Sequence, residues 1–147
     1  MNKSILVPLD GSEAAFKAIK IACKLTQDDD KLVLVHVVRH RHPPEELKRY
    51  LETEHAEAPI EWEYDNIIST GILDDAKTYA ASIGADNIET IIKHGDPAKM
   101  ITKFAEENQV DMIVMGNRGI GKFNGIVFGS VSQKVSHLAK CTVITVS

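Results

Sequence analysis

From Gly116 to Ser132 the chain reads Gly-Asn-Arg-Gly-Ile-Gly-Lys-Phe-Asn-Gly-Ile-Val-Phe-Gly-Ser-Val-Ser, with five glycines in the 14 residues Gly116 to Gly129. The usual glycine share is about 7%. Glycine permits positive φ and lets a ligand come close to peptide N–H groups. The apolar run Met112-Ile113-Val114-Met115 leads into this segment, and a helical pattern leaves it at Ser130. The first N–H groups of that helix have no intrahelical partner and carry the positive end of its dipole. Such a junction is a cradle for an anion, phosphate above all. Ser130 and Ser132 offer hydroxyls there, and Arg118 and Lys122 offer positive charge. A surface loop that uses glycine only for turns is the competing reading. The pattern is not a Walker loop, and the first strand ends in Asp10-Gly11-Ser12 rather than in a dinucleotide-binding glycine fingerprint.

Other reactive residues form weaker constellations. Six histidines are present: His36, His40, His42, His55, His94 and His137. His36, His40 and His42 are close in sequence, but a metal site needs further ligands in a geometry that a strand does not supply. His36 reads instead as a hydrogen-bonded core residue, and His94, before Gly95-Asp96, as part of a turn. No Gly-x-Ser-x-Gly elbow occurs. Asp10 beside Ser12 could suggest a catalytic pair, yet a helix N-cap explains Ser12 more simply. Cys23 and Cys141 lack zinc or redox spacing and read as buried free thiols.

The elements that must position these residues are legible from periodicity. Ser4 to Leu9 is a short apolar strand, in which Pro8 is unexpected unless it stands at an end. A helix from Glu13 to about Thr26 puts Ala15, Ala18, Ile19, Ala22 and Cys23 on one face. Leu32 to Val38 is apolar almost throughout, as in a strand buried on both sides. Residues 39–65 are polar, with eight acidic side chains, and read as a solvated crossover insertion carrying a helix around Glu45 to Glu54. Trp62 and Tyr64 are expected to pack locally within it. A second long helix is predicted from Asn66 to Ser82, with Ile68, Ile72, Ala76, Tyr79 and Ile83 in step and Gly84 past its end. Ile88 to Ile92 is the third strand. Asp96-Pro97 opens a helix that turns Met100, Ile101, Phe104 and Ala105 inward. Met112 to Met115, a helix from Ser130 to Leu138, and a strand from Thr142 to Val146 complete the chain.

Strands thus alternate with helices, which implies a parallel sheet covered on both faces. The 147 residues suit one domain. A net charge of −4 argues against a general nucleic-acid binder, and no apolar run is long enough to span a membrane. The N-terminal apolar stretch is too short for a signal peptide, so a cytoplasmic location is expected. Ligands of such sheets bind beyond the carboxyl ends of the strands, where the strand order reverses. The Asp10-Gly11-Ser12 turn and the segment opening at Gly116 face each other there if the first and fourth strands are neighbours.

Ile5-Leu6-Val7-Pro8-Leu9-Asp10-Gly11-Ser12, the strand Val110 to Gly116, and the spacing Gly116, two residues, Gly119, nine residues, Gly129-Ser130 together resemble the ATP-binding subclass of the universal stress protein family. The resemblance follows the element order of the whole chain and is weakest from Arg39 to Asp65. It implies one α/β domain over residues 1–147: an open, five-stranded, parallel, doubly wound, Rossmann-like sheet in the order 3-2-1-4-5. It implies an ATP site made from Pro8, Leu9, Asp10, Val38, Met115, Gly116, Arg118, Gly119, Gly129, Ser130, Val131 and Ser132. Asp10 would lie near the ribose or a bound Mg²⁺; Val38, with His36 or Val37 beside it, would line the adenine pocket. Gly129 to Ser132 would hold the phosphates. Gly121 and Gly125 are extra glycines in the spacer, which weakens Lys122 as a fixed ligand. The resemblance also implies a homodimer through the strand 142–146, or a larger assembly.

Three functions fit these readings. The first is a nucleotide-responsive regulatory module, in which ATP orders the glycine loop and biases assembly or partner binding. No catalytic residue is assigned, since a fast ATPase or phosphotransferase needs a second acid that the matching loops lack; slow hydrolysis is the second reading. The third is a nucleotide-independent interaction module, for example one that regulates a transporter.

Overall fold

The computed structural model describes residues 2–39, 49, 60–117 and 129–147. Its strands are β1 (Ser4–Leu9), β2 (Lys31–Val38), β3 (Ile88–His94), β4 (Met112–Gly116) and β5 (Thr142–Val146). Its helices are α1 (Glu13–Leu25), α2 (Ile60–Ser82), α3 (Pro97–Glu107) and α4 (Ser130–Leu138). The strands form one parallel sheet in the order β3-β2-β1-β4-β5, as expected.

Side chains of successive strand residues point to opposite faces, and the core divides accordingly. Ile5, Val7, Leu9, Leu32, Leu34 and Val114 pack beneath α1 and α2. Leu6, Val33, Val35, Ile113 and Met115 pack beneath α3 and α4. A fully buried aliphatic side chain contributes about 1.5–3 kcal/mol, so two-sided burial of β1, β2 and β4 is the main source of stability. The chain winds from β1 towards β3 with α1 and α2 on one face, then from β4 to β5 with α3 and α4 on the other. The direction therefore reverses between β1 and β4, where a crevice is expected.

Pro8 helps to open that crevice. Lys31 N–H donates to the Lys3 carbonyl on the β2 side, and Asp111 N–H donates to the Ser4 carbonyl on the β4 side. By alternation the backbones of Leu6 and Pro8 also face β4. Pro8 has no N–H to give. The β1–β2 register runs from Ser4 to Leu9, whereas the β1–β4 register covers only Ile5 and Leu6. The proline thus stands inside a central strand, where its missing donor meets the end of a ladder.

Two helices are fixed by the caps that the sequence predicts. The Ser12 hydroxyl accepts the Ala15 N–H at 3.2 Å, and the Asp96 carboxylate accepts the Lys99 N–H at 3.1 Å with Pro97 in the first turn. At the opposite end of the sheet Asp30, only 6% exposed, ties three segments together. It accepts N–H groups from Lys3 at 2.7 Å and Gln27 at 2.8 Å, and the Lys3 ammonium stands 3.5 Å away.

The structure corrects three element readings. α2 starts at Ile60 rather than Asn66, so Glu61, Glu63 and Asp65 belong to a helix and not to the crossover. No proline occurs from Ile60 to Ser82, so none interrupts the helix. The buried stripe of α2 is Ser69, Leu73, Ala76 and Ala80, while Ile68 and Ile83 remain 41% and 40% exposed. Of the predicted stripe, Ala76 is buried and Ile72 and Tyr79 pack against the core, while Ile68 and Ile83 fall outside it; the small side chains of Ser69, Ala76 and Ala80 share the buried face with Leu73. β3 continues to His94, two residues beyond its predicted end, so His94 closes a strand and Gly95 makes the turn. The helix expected around Glu45 to Glu54 lies outside the described residues, as do the side chains of Trp62 and Tyr64.

Candidate functional site

At the carboxyl end of the sheet, β1 gives way to a tight turn. Gly11 adopts φ +81°, in the left-handed region that suits glycine. The Asp10 carboxylate accepts the Ser12 N–H at 2.9 Å, and Ser12 then caps α1. Ser12 is therefore a cap, as its position suggests. Leu9 is buried beneath α1 and α2, so its side chain belongs to the core.

β4 reaches the same place from the other side. A Cβ on Gly116 would lie 2.8 Å from Ala14 Cβ and 3.0 Å from the Ala14 carbonyl carbon. Only glycine lets the end of β4 pass this close to the first turn of α1. Met115 is 4% exposed and packs beneath α3 and α4, so the backbone is its only means of reaching a ligand in the crevice.

The next residues join the two ends of the glycine segment. Asn117 N–H donates to the Val146 carbonyl at 2.9 Å, and the Asn117 carbonyl accepts the Gly129 N–H. A Cβ on Gly129 would sit 3.1 Å from the Asn117 carbonyl oxygen, so a larger residue would push the start of α4 from the end of β4. α4 has no side-chain N-cap, unlike α1 and α3. Ser130 is exposed at its first position, Val131 is half-buried, and Ser132 is buried. The Ser132 hydroxyl donates to the Gly129 carbonyl at 2.8 Å, which commits its proton to the helix. Arg118, Gly119 and Lys122 lie outside the described residues.

Val38 lies two strands away at the end of β2, and its carbonyl accepts the Gly95 N–H at 2.9 Å. His36, half-buried on the α1–α2 face, approaches Ser69 Oγ with Nδ1 at 2.9 Å. Ser69 gives its own proton to the Asp65 carbonyl at 2.8 Å, so its oxygen is left to accept and Nδ1 is the protonated nitrogen of His36. Burial holds the His36 pKa below its usual 6.5, and the charges of Asp10 and Asp65 act against that shift. A serine, a histidine and an aspartate thus come together, but Ser69 is fully buried and its proton is engaged. The group cannot act as a nucleophilic triad, and His36 is the hydrogen-bonded strand residue that the sequence suggests.

Among the described residues no three His, Cys, Asp or Glu side chains gather into a metal site. His40 and His42 are outside them. Cys23 and Cys141 are both free, half-buried thiols with pKa values raised by burial. No helix of the described residues is long and apolar enough to cross a membrane.

The structure therefore brings Asp10, Gly116, Gly129 and Ser130 to the carboxyl ends of β1 and β4, through the close approach of Gly116 to Ala14 and the hydrogen bond between Gly129 and Asn117. It leaves Leu9 and Met115 to the core. Sequence reasoning passed over Asn117 and Ser69. Asn117 stood inside the quoted segment as a polar residue between a glycine and an arginine. Ser69 could have been found as a polar member of the i, i+4, i+7, i+11 stripe of small residues in α2.

The model of the universal stress protein family matches residues 1–147. The chain is 32% identical to the universal stress protein YxiE of Bacillus subtilis, with 99% of each chain covered. It is 31% identical to the universal stress protein Rv1636 of Mycobacterium tuberculosis, covering 98% of this chain and 95% of that one. Among solved structures, the universal stress protein UspA of Lactobacillus plantarum superposes with a TM-score of 0.81 at 26% identity, covering 99% of this chain and 97% of that one. A universal stress protein in complex with cAMP gives 0.74 at 23% identity, with 99% and 97% covered. Two more distant chains share the fold: an Arabidopsis thaliana protein with AMP bound and an Archaeoglobus fulgidus protein in complex with dAMP. Their TM-scores are 0.67 and 0.69 and their identities 21% and 20%, covering 98% and 100% of this chain and 90% and 98% of theirs.

Proposed function

Because this chain belongs to the universal stress protein family, we propose that it binds ATP at the β1–β4 crevice and works as a nucleotide-responsive regulatory module. One observation carries the reading. The uncapped start of α4 is held against the end of β4 by the Gly129–Asn117 hydrogen bond, next to the turn that bears Asp10. The α4 amides and its dipole suit the phosphates. Solved chains of the same fold holding cAMP, AMP and dAMP support an adenine nucleotide as the ligand.

Asp10 is the carboxylate carried by the turn that follows β1. Magnesium commonly takes one or two carboxylates and completes its shell with substrate phosphates and water. Asp10 therefore fits an ion that arrives with the nucleotide rather than a resident metal. The remaining site would be completed by Pro8, Val38, Arg118, Gly119, Val131 and Ser132. β5 has a strand neighbour on one side only. Such an edge needs cover, and a second copy pairing along Thr142–Val146 would supply it. ATP would act by binding one assembly or partner-competent state better than another.

Titration calorimetry of the full chain with ATP and Mg²⁺, together with mass analysis of small molecules released on denaturation, tests the proposal. Saturable binding near one nucleotide per chain is expected, and Gly129→Val should abolish it while the fold persists. No saturable binding to any adenine nucleotide refutes it.

A further inference from the structure

Asn117 is the one described residue with a buried side-chain atom left without a hydrogen-bond partner: its Oδ1 is shielded and unpaired. A buried acceptor without a partner loses its hydration and gains nothing in return. Its backbone cannot turn away to relieve this. The N–H is held by Val146 and the carbonyl by Gly129, so the residue is pinned between β4, β5 and the start of α4. The last side-chain torsion of asparagine is broad and roughly two-fold, so its amide oxygen can be aimed without cost in the backbone. A shielded acceptor on a backbone fixed in this way has a partner to gain when a ligand enters beside it.

We propose that Asn117 is a positioning residue for the sugar: its side-chain carbonyl accepts a hydrogen bond from a ribose hydroxyl of the bound nucleotide. The inference rests on the nucleotide reading above and goes beyond it. An acceptor needs a donor. At neutral pH the phosphate chain offers only acceptors, so the donors on an adenine nucleotide are the ribose hydroxyls and the base amino group. The phosphates belong at the start of α4, beside Asn117, and the base belongs towards β2, two strands away. The sugar lies between them, across the ends of β1 and β4. Asp10 follows β1 on one side of that gap and Asn117 follows β4 on the other. Asn117 therefore stands on the β4 side of the sugar and supplies an acceptor for one of its two hydroxyls.

The test compares ATP with 2′-deoxy-ATP and 3′-deoxy-ATP by calorimetry on the full chain, for the unsubstituted protein, Asn117→Ala and Asn117→Asp. The unsubstituted protein should bind one deoxy analogue about tenfold more weakly than ATP, which corresponds to ~1.4 kcal/mol. Asn117→Ala should lose that discrimination. Asn117→Asp should keep it, because it keeps the acceptor, and its added charge cancels in the ratio. Asn117→Ala should also unfold, without ligand, at the same temperature or higher, since it removes an unpaired acceptor. A melting temperature lower by more than about 2 °C would mean that the amide is paired within the protein, and would overturn the inference. Unchanged discrimination in Asn117→Ala, or none in the unsubstituted protein, would overturn it too. Failure of the unsubstituted protein to bind any adenine nucleotide would instead refute the underlying functional reading, and this inference with it.

Discussion

Replacing Gly116 by alanine tests whether the crevice depends on the close passage of α1 over β4. The added methyl would lie 2.8 Å from Ala14 Cβ, 3.0 Å from the Ala14 carbonyl carbon and 3.3 Å from its oxygen. Carbon atoms are at ease near 3.5–4.0 Å, so a gap of more than half an ångström must be opened. The neighbour that has to move is the first turn of α1, which Ser12 caps and a fully packed layer holds down. Gly116 does not have a positive φ, so alanine costs nothing in backbone conformation and the effect is steric. Overpacking of this kind costs about 1–3 kcal/mol. In a domain of this size each kcal/mol lowers the melting temperature by about 2–4 °C, giving an expected drop of roughly 2–12 °C. A double-mutant cycle with Ala14→Gly isolates the contact. It removes the nearest atom but leaves the Ala14 backbone, so Gly116→Ala should cost less in that background, by at least about 0.5 kcal/mol. Urea denaturation of the four proteins gives the coupling directly. Equal costs in both backgrounds, or no cost at all, would refute the argument that this glycine is set by packing.

Two further predictions concern pH. Backbone hydrogen bonds from Lys3 and then Gln27 hold the Asp30 pKa below the usual carboxylate value, so its contribution is complete above about pH 4 and is lost as pH falls through the lowered pKa; the difference in urea midpoint between the protein and Asp30→Asn should shrink over that acid range, and a difference that stays constant would contradict the assignment. Burial lowers the His36 pKa, so below pH 6.5 the unfolded chain takes up this proton first and stability declines until the folded pKa is passed. His36→Gln should flatten the urea-midpoint curve between pH 8 and pH 5, and an unchanged slope would show that another group is responsible.

Much of the architecture was legible because it rests on local rules. Ser12 and Asp96-Pro97 announce helix starts through the chemistry of their own side chains and ring. β2 announces itself through two-sided burial, which leaves no polar position between Leu32 and Val35. α2 was harder, because Ile68 and Ile83 fit the apolar period as well as Ile72 does, yet only Ile72 packs against the core. The helix turns instead on Ser69, Ala76 and Ala80, whose merit is small size, and smallness counts only against a known neighbour. Its start at Ile60 was obscured by acidic side chains that a helix exposes as readily as a loop does.

The glycine spacing and the Asp10 turn were sufficient, on sequence alone, to mark the candidate site and the resemblance to its family. The roles within the site came from the folded chain. Gly116 resembles a ligand-binding glycine in the sequence, yet it also has a packing reason that appears only when α1 lies across β4. Pro8 looked misplaced until the backbone alternation showed its missing donor facing the end of the β1–β4 ladder. The backbone of Asn117, whose Oδ1 is buried without a partner, is pinned by bonds to residues 12 and 29 positions away. Propensity, caps and glycine spacing act between neighbours along the chain and can be read from it. Close approach, ladder ends and unsatisfied polar atoms depend on which distant segments meet, and only the tertiary structure decides that.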